Sequence, residues 1–275
     1  MYAEKWLYEF ILFIYSISLI GYFIDFIKTN KRINKISFWL LCTVWLLQTV
    51  LLFNQVFLEK NFPILTLNDG LFFYAWVLIF FSIIINRFFS IHFIVFFANV
   101  YSFFIMLLAI SLRAQQNYNP IGAAFVHEIL VIHIMLALVS YGFFTISFIL
   151  SFMYLLQYQF LKNKKGFQWI WRLGDLKKLD NYAFIFVMIG VPLLLIGIIV
   201  GVVWAYVANA QFYWFDVKTI GSIVVLVIYV LYLILWVGKG YRGKIVSFYN
   251  ITAFLILLLN FFLFGSLSNF HFHVF

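Results

Sequence analysis

Charged residues are scarce in this sequence, and their scarcity excludes most soluble architectures. Only 10% of the 275 residues are Asp, Glu, Lys or Arg, whereas 66% are hydrophobic. The apolar residues come in runs of about twenty, the length that a helix needs to cross a bilayer. Runs of this length do not match the short alternating strands of a membrane β-barrel. The sequence therefore predicts an all-α, polytopic integral membrane protein without a soluble domain.

Cysteine and mid-membrane ionisable groups are also nearly absent. The only cysteine, Cys42, lies inside an apolar run, which excludes a CxxC redox pair and an intrachain disulfide. The acidic and histidine residues closest to the apolar runs all lie near or beyond their ends: Glu9, Asp25, His92, Glu128 and His133. Transporters coupled to ions usually need titratable groups near the membrane midplane, so the sequence disfavours that class.

Eight segments are long and apolar enough to span a membrane. They are Leu7–Phe26, Ile36–Phe57, Leu67–Ile85, Phe88–Leu112, Val126–Tyr158, Asn181–Val207, Lys218–Val237 and Ile245–Leu267. The first segment has no small-residue cleavage site after it and is followed by basic residues. This pattern predicts a retained span rather than a signal peptide.

The basic residues predict the orientation of these spans. Fourteen of the eighteen Lys and Arg residues follow spans one, three, five and seven, and the other four are Lys5, Lys60, Arg113 and Lys218. Because basic loops remain in the cytoplasm, both termini and the loops after spans two, four and six are predicted to be extracytoplasmic. The net charge of +9 is thus attributed to membrane anchoring, and nucleic-acid binding is not expected.

An aromatic loop, WAYVANAQFYWFDVK, joins the sixth and seventh spans over residues 204–218. Trp and Tyr gather at membrane interfaces in many proteins, so the loop could be an interfacial belt. Alternatively, the faces of Trp204 and Trp214 could form a hydrophobic shelf for a flat macrocycle. Lys218 or a nearby polar group could then meet the propionates of that macrocycle. Asp216 and Lys218 could equally form a surface ion pair. The residues alone leave these interpretations open.

Three histidines are predicted to lie at the level of this loop. Counting about twenty residues from the basic ends of the spans places His133, His271 and His273 at similar distances outside the hydrocarbon. Neutral imidazole is a common axial ligand of haem iron, and two such ligands approach the ring from opposite faces. His133 and one of the two C-terminal histidines come from different helices and could do so. Each could instead be an interfacial hydrogen-bonding residue.

The order of these features resembles the cytochrome c assembly family of haem-handling membrane proteins. The segment VWAYVANAQFYWFDVKTIGSIVVLVIYVLYL is similar to the family's tryptophan-rich segment and the helix that follows it. HIMLALVSYGFF, which begins at His133, is similar to the family's histidine-bearing helix, and LSNFHFH is similar to its terminal histidine motif. SLIGYFIDF, FWLLCTVWLLQTVLLF and LNDGLFFYAWVLIFFSIIINRF resemble the HemX branch of the family. The resemblance covers nearly the whole chain and implies one transmembrane domain over residues 1–275.

The resemblance also implies a cofactor site. His133 and His271 would be the axial ligands of haem b, which would be bound without a covalent link because Cys42 has no partner cysteine. The residues that would surround the haem are His133, His271, Trp204, Trp214, Asp216 and His273. Ile234 stands where assembly members carry a histidine, so a second, intramembrane ligand is missing from the pattern. The loop also has fewer tryptophans than theirs, which disfavours haem lyase chemistry.

The function implied by the resemblance is haem binding or sensing in a bacterial plasma membrane. HemX proteins are associated with haem biosynthesis and with lowering the amount of glutamyl-tRNA reductase, which would make haem, the bilayer and this reductase the partners. The first alternative is a haem-delivery subunit that acts with a partner in cytochrome c biogenesis. The second is a scaffold or permease without haem. No nucleophile and base are placed together, so no catalytic residue is predicted and an enzyme is not expected.

Overall fold

The computed structural model describes residues 2–28, 30–57, 67–88, 92–115, 128–164, 175–207 and 217–267. These ranges contain eight long helices: α1 (Tyr2–Lys28), α2 (Lys31–Phe57), α3 (Leu67–Phe88), α4 (His92–Gln115), α5 (Glu128–Lys162), α6 (Leu176–Val207), α7 (Val217–Val237) and α8 (Lys244–Leu267). Each is long and apolar enough to cross a membrane. The predicted all-α polytopic membrane fold is therefore confirmed, with one helix for each predicted span. The placement of the termini outside the cell stays a prediction.

Several helices extend beyond the predicted spans. α5 continues to Lys162 rather than ending at Tyr158, and α6 begins at Leu176 rather than at Asn181. The additional turns carry lysines, whose long side chains let a helix continue past the hydrocarbon while the charged group reaches water. Hydropathy detects only the apolar part of such a helix, which explains why the predicted spans were too short at these ends.

Contacts between helices divide the chain into two compact units, residues 1–125 and 126–275. Unit 1 contains α1 to α4 and unit 2 contains α5 to α8. The single domain expected over the whole chain stays a prediction.

Buried polar contacts join the helices of unit 1. Ser18 Oγ on α1 donates to the carbonyl oxygen of Ser37 on α2 at 2.9 Å, and Gly21 lies so close to Ser37 that a Cβ would overlap its hydroxyl. The Tyr15 hydroxyl donates to Asn99 on α4, whose backbone and side-chain oxygens both lie at 3.1 Å. Such interhelical bonds contribute only about 0.6 kcal/mol each in a membrane protein, so they fix the register of the helices more than their stability.

A regular seam joins the antiparallel helices α5 and α6 of unit 2. Three α5 side chains, seven residues apart, hydrogen-bond to α6 carbonyl oxygens that are also seven residues apart. The pairs are His133 Nδ1 with Gly197 O (2.6 Å), Ser140 Oγ with Gly190 O (3.0 Å) and Ser147 Oγ with Ala183 O (2.8 Å). Seven residues make two turns in a supercoiled helix pair, so each contact recurs on the same face. The α6 partners are glycine or alanine, whose small size lets the two backbones approach.

Two buried tyrosines are expected to respond differently to loss of the hydroxyl group. Tyr15 and Tyr229 are both 0% exposed, but the Tyr229 hydroxyl has no hydrogen-bond partner in the described part of the chain. Tyr15→Phe should lower the free energy of unfolding by about 0.6 kcal/mol, the typical contribution of one interhelical hydrogen bond in a membrane protein, whereas Tyr229→Phe should leave it unchanged or raise it. Denaturation of both variants in detergent checks this expectation. A Tyr229→Phe variant that unfolds as readily as Tyr15→Phe would contradict it.

Candidate functional site

His133 lies in the second turn of α5, on the face that packs against α6. Its ring occupies the space beside Gly201, where an added Cβ would lie 2.6 Å from both Nδ1 and Cε1 of the imidazole. One turn away, Gly197 lies against the α5 backbone, where an added Cβ would meet the amide nitrogen of Ala137 at 3.4 Å. Gly197 and Gly201, which are four residues apart, therefore have separate roles. The absence of a side chain at Gly197 lets the α5 backbone approach, and its absence at Gly201 leaves room for the imidazole.

The seam bond of His133 determines which ring nitrogen can bind a ligand. Nδ1 lies 2.6 Å from the carbonyl oxygen of Gly197, and a carbonyl oxygen only accepts, so Nδ1 carries the hydrogen. The neutral ring then has its lone pair on Nε2. Metal-binding histidines commonly donate their other N–H group to a backbone carbonyl, which fixes the tautomer and the ring orientation. His133 therefore has the chemistry of a preorganised Nε2 ligand.

The other two seam contacts, made by serines, show which part of the role of His133 is structural and which is not. Ser140 and Ser147 make the same kind of bond to α6 with a hydroxyl group. Serine therefore suffices for the seam at two of its three positions. The imidazole of His133 uses Nδ1 for its bond to α6 and still has a second nitrogen, Nε2. Ser140 and Ser147 have no such second group, and this is how His133 differs from them.

Trp204 lies near His133 but is largely buried by packing. It follows Gly201 by one turn of α6 and is only 9% exposed. It belongs to an apolar cluster at the start of α5, whose other members are Leu130, Ala205, Ile129 and Ile134. The structure thus places this predicted site residue beside the turn that carries His133. Its role as a surface for a macrocycle stays a prediction.

A closed ring of hydrogen bonds, called here the Lys218–Asn260 ring, joins α7 to α8. Lys218 Nζ donates to Asn260 O at 3.0 Å, Asn260 Nδ2 lies 3.4 Å from Ser222 Oγ, and Ser222 Oγ donates to Lys218 O at 2.9 Å. Asn260 Nδ2 also lies 3.4 Å from the Tyr141 hydroxyl, which connects the ring to α5. Lys218 interacts electrostatically with His133, so the ring and the imidazole share one end of unit 2, the His133 end.

The predicted site is described only in part. His133 and Trp204 both lie at the His133 end, whereas Trp214, Asp216, His271 and His273 lie outside the described residues. The resemblance described above implies a histidine at position 234 in other family members. In this chain the position holds an isoleucine that is 49% exposed and thus lies outside the core of unit 2. Within the described ranges, no three His, Cys, Asp or Glu side chains are grouped as a bare metal ion would require.

Sequence reasoning missed the supporting residues of the site. The serines seven and fourteen positions after His133 were a readable signal of the seam, and Asn260 was a polar interruption in the run LILLLNFFLF. Neither pattern identifies its partner, because the pairing of these side chains with α6 and α7 depends on how the helices pack.

Comparison with known proteins assigns the chain to a family. A family model described as Cytochrome C assembly protein matches residues 64–271, which is more than half of the chain. The chain belongs to the cytochrome c assembly protein family. It is 44% identical over 258 residues to Protein HemX of Bacillus subtilis (strain 168), covering 94% of each chain. It is 37% identical over 275 residues to Protein HemX of Brevibacillus brevis, covering 98% of this chain and 99% of that one.

A more distant similarity connects this member of the cytochrome c assembly family to a second named group. The chain is 26% identical over 238 residues to Cytochrome c biogenesis protein CcsA of Mesostigma viride, covering 77% of this chain and 76% of that one. The family match begins shortly before α3 and ends at His271, so it contains every predicted site residue except His273. The resemblance drawn from the sequence motifs is confirmed.

Proposed function

We propose that this chain is a HemX-type protein that binds haem b non-covalently at the His133 end of unit 2, on the outer face of a bacterial plasma membrane. The observation that carries this proposal is the bond from His133 Nδ1 to Gly197 O, which leaves Nε2 as the free lone pair of a fixed imidazole. His133 and His271 would supply the axial pair. The remaining residues of the proposed site are Trp204, Trp214, Asp216 and His273.

The described residues fit a haem in their chemistry. A bound haem would supply an iron that imidazole nitrogens can ligate and that can change oxidation state. The residues of this chain would hold and orient it: His133 through Nε2, with Gly201 leaving room for the imidazole and the seam fixing its plane. Cys42 lies within α2 of the other unit and is unpaired with any cysteine, which agrees with non-covalent binding.

We propose further that the protein lowers the level of glutamyl-tRNA reductase in response to haem. The similarity to two HemX proteins supports a HemX-type role. α5 offers a physical route, because it is one unbroken helix from the turn that holds His133 to Lys162 at the basic end of unit 2. Ligand binding that shifts the position of α5 would therefore alter the basic surface available to a cytoplasmic partner. Unchanged reductase levels after deletion of this chain would rule out this regulatory role.

The haem site itself is tested by spectroscopy of the protein purified in mild detergent. Addition of haem is expected to give a Soret band of a histidine-ligated complex, and His271→Ala should change or abolish it. His92→Ala is the control, because His92 begins α4 in unit 1 and is not part of the proposed site. A parent protein that shows no Soret band of bound haem after titration would rule out the proposal.

A second candidate is delivery of haem during cytochrome c biogenesis. It is favoured by the similarity to a protein named for that process, which extends over 77% of this chain. In this case the chain would act with an assembly partner that supplies the ligand missing at Ile234. Loss of c-type cytochromes on deletion, with reductase levels unchanged, would select this function over the regulatory one.

A further inference from the structure

The segment that joins α7 to α8 lies at the basic end of unit 2. With the first residue of α8 it reads GKGYRGK over residues 238–244, called here the basic turn. It contains three cations and no acidic residue, and Lys239, Tyr241, Arg242 and Lys244 are all exposed. The clustering of basic residues on one side of a membrane requires only that they reach water. It does not require that the backbone carrying them be held in one conformation.

The backbone of the basic turn is nevertheless fixed from two sides. Tyr241 N donates to Leu235 O of α7 at 3.1 Å, and Gly243 N donates to Asp180 Oδ2 of α6 at 3.3 Å. Gly240 and Gly243 adopt φ values of 65° and 74°, which residues with a side chain rarely adopt. The two glycines and the carboxylate of Asp180 therefore give the turn a defined shape.

An aromatic stack holds the guanidinium of Arg242. The group lies over the ring of Trp236, and its Nη1 donates to the Trp236 carbonyl oxygen at 3.0 Å. Trp236 in turn stacks on Phe184 of α6, with ring centres 3.6 Å apart. A guanidinium has five N–H donors in one plane, and this bond uses one of them. The stack thus fixes the plane of a group that retains donors for an anion.

The described part of the chain leaves the charges of the basic turn uncancelled. Asp180 interacts electrostatically with Arg242 without forming an ion pair. Among the described residues, no carboxylate lies within ion-pair distance of Lys239, Arg242 or Lys244. Lys244 Nζ lies 5.9 Å from the centre of the Tyr158 ring, which attracts a cation without neutralising it. An anion at the turn would therefore meet three positive charges.

Exposed apolar side chains flank the basic turn on both sides. Val237 ends α7, and Ile245 and Phe248 lie in the first two turns of α8. On a membrane-spanning helix such side chains contact the acyl chains of lipids, so the cations lie where acyl chains end and headgroups begin. This position favours a lipid over an acidic protein. One lipid molecule covers both the apolar side chains and the cations, whereas a protein bound from the aqueous side would reach the cations alone.

We propose that the basic turn binds the headgroup of a phospholipid with net negative charge, that Lys239 and Arg242 contact its phosphate, and that Asp180 holds the turn in the binding conformation. A planar guanidinium matches a phosphate with two parallel hydrogen bonds. A zwitterionic phospholipid has the same phosphate, but the turn repels the cation of its headgroup. The inference goes beyond haem binding and does not depend on it.

The experiment compares phosphatidylglycerol with phosphatidylcholine of the same acyl chains, added together in equal amounts to the full-length protein in detergent. Native mass spectrometry resolves the two complexes with one bound lipid by mass, and their ratio is the readout. The parent is expected to favour phosphatidylglycerol by more than about tenfold, because each basic residue near a membrane surface favours an anionic lipid about fivefold. Lys239→Gln/Arg242→Gln should lower the ratio by about tenfold or more for the same reason.

Two sets of controls separate a built site from net charge. Lys162→Gln/Lys164→Gln removes the same charge from the exposed end of α5 and should change the ratio by less than about twofold. Asp180→Ala removes the acceptor of Gly243 N together with a negative charge. Net charge alone would raise the ratio, whereas release of the turn should lower it. Asp180→Asn removes the charge but keeps an acceptor oxygen, so its ratio should equal or exceed that of the parent.

Each result supports or overturns a defined part of the inference. Equal binding of the two lipids by the parent would overturn it and assign the turn to an acidic protein instead. A Lys239→Gln/Arg242→Gln ratio equal to that of the parent, or an equal fall in Lys162→Gln/Lys164→Gln, would exclude the turn as the lipid site. A raised ratio in Asp180→Ala would overturn the positioning role of Asp180. Since no haem is added, none of these results bears on the proposed haem site.

Discussion

Replacing His133 with serine is expected to abolish haem binding while leaving unit 2 folded. Serine at position 133 can restore the hydrogen bond to Gly197 O, because Ser140 and Ser147 make the equivalent bonds elsewhere in the seam. It cannot restore the second nitrogen. We therefore expect the Soret band of bound haem to disappear. The free energy of unfolding should fall by about 1 to 2 kcal/mol, because serine keeps the bond to Gly197 but leaves empty the space beside Gly201 that the imidazole filled.

The glycines of α6 provide a matched pair of controls for this substitution. Gly201→Ala keeps His133 but places a Cβ 2.6 Å from its ring, so the imidazole must move and haem affinity should fall about tenfold or more. Gly197→Ala introduces the same methyl group one turn away, where its closest neighbour is the Ala137 nitrogen at 3.4 Å. It should bind haem nearly as the parent does. Equal affinities for the two alanine variants, or haem binding retained in His133→Ser, would contradict the assignment of His133.

The architecture of the chain could be predicted from the sequence because lipid constrains it strongly. Apolar runs of about twenty residues have few alternatives to a membrane-spanning helix, and each of the eight predicted spans corresponds to a described helix long and apolar enough to cross a membrane. The predicted start of the fourth span was wrong, because Phe88 ends α3 and α4 begins at His92. The ends of α5 and α6 were predicted less well, since lysines there extend the helices beyond the apolar segments. A hydropathy profile identifies the apolar segment that can contact lipid, but the helix can continue beyond that segment.

The candidate site could be predicted only at the level of single residues. His133 and Trp204 are recognisable because histidine and tryptophan are chemically distinctive in an apolar chain. The carbonyl oxygen of Gly197 and the ring that holds Lys218 are not recognisable in this way. A backbone carbonyl is present at every residue, and which one meets a side chain depends on the register of two packed helices. Sequence periodicity constrains that register without fixing it.

Unit 2 should also be sensitive to the size of residue 190, at the middle contact of the α5–α6 seam. Gly190 lies against Phe144, and an added Cβ would lie 2.7 Å from Cε1 of that ring. Phe144 is 0% exposed and stacks on Tyr229 with ring centres 3.8 Å apart, so it has little freedom to move away. Close-packed interiors respond to added atoms by shifting side chains and backbone, and typical losses are about 1 to 3 kcal/mol.

Gly190→Leu is therefore expected to lower the free energy of unfolding by about 3 kcal/mol, the upper part of the range for overpacking. Unfolding titrations in mixed micelles measure the effect, and a double-mutant cycle with Phe144→Ala tests its cause. Phe144→Ala alone removes the stacked ring and should also destabilise, but it creates space beside residue 190. The double variant should thus be more stable than the sum of the two losses predicts, because leucine fills part of that space. Additive losses would mean that residue 190 does not press on Phe144, and the packing described for the seam would then be wrong at its centre.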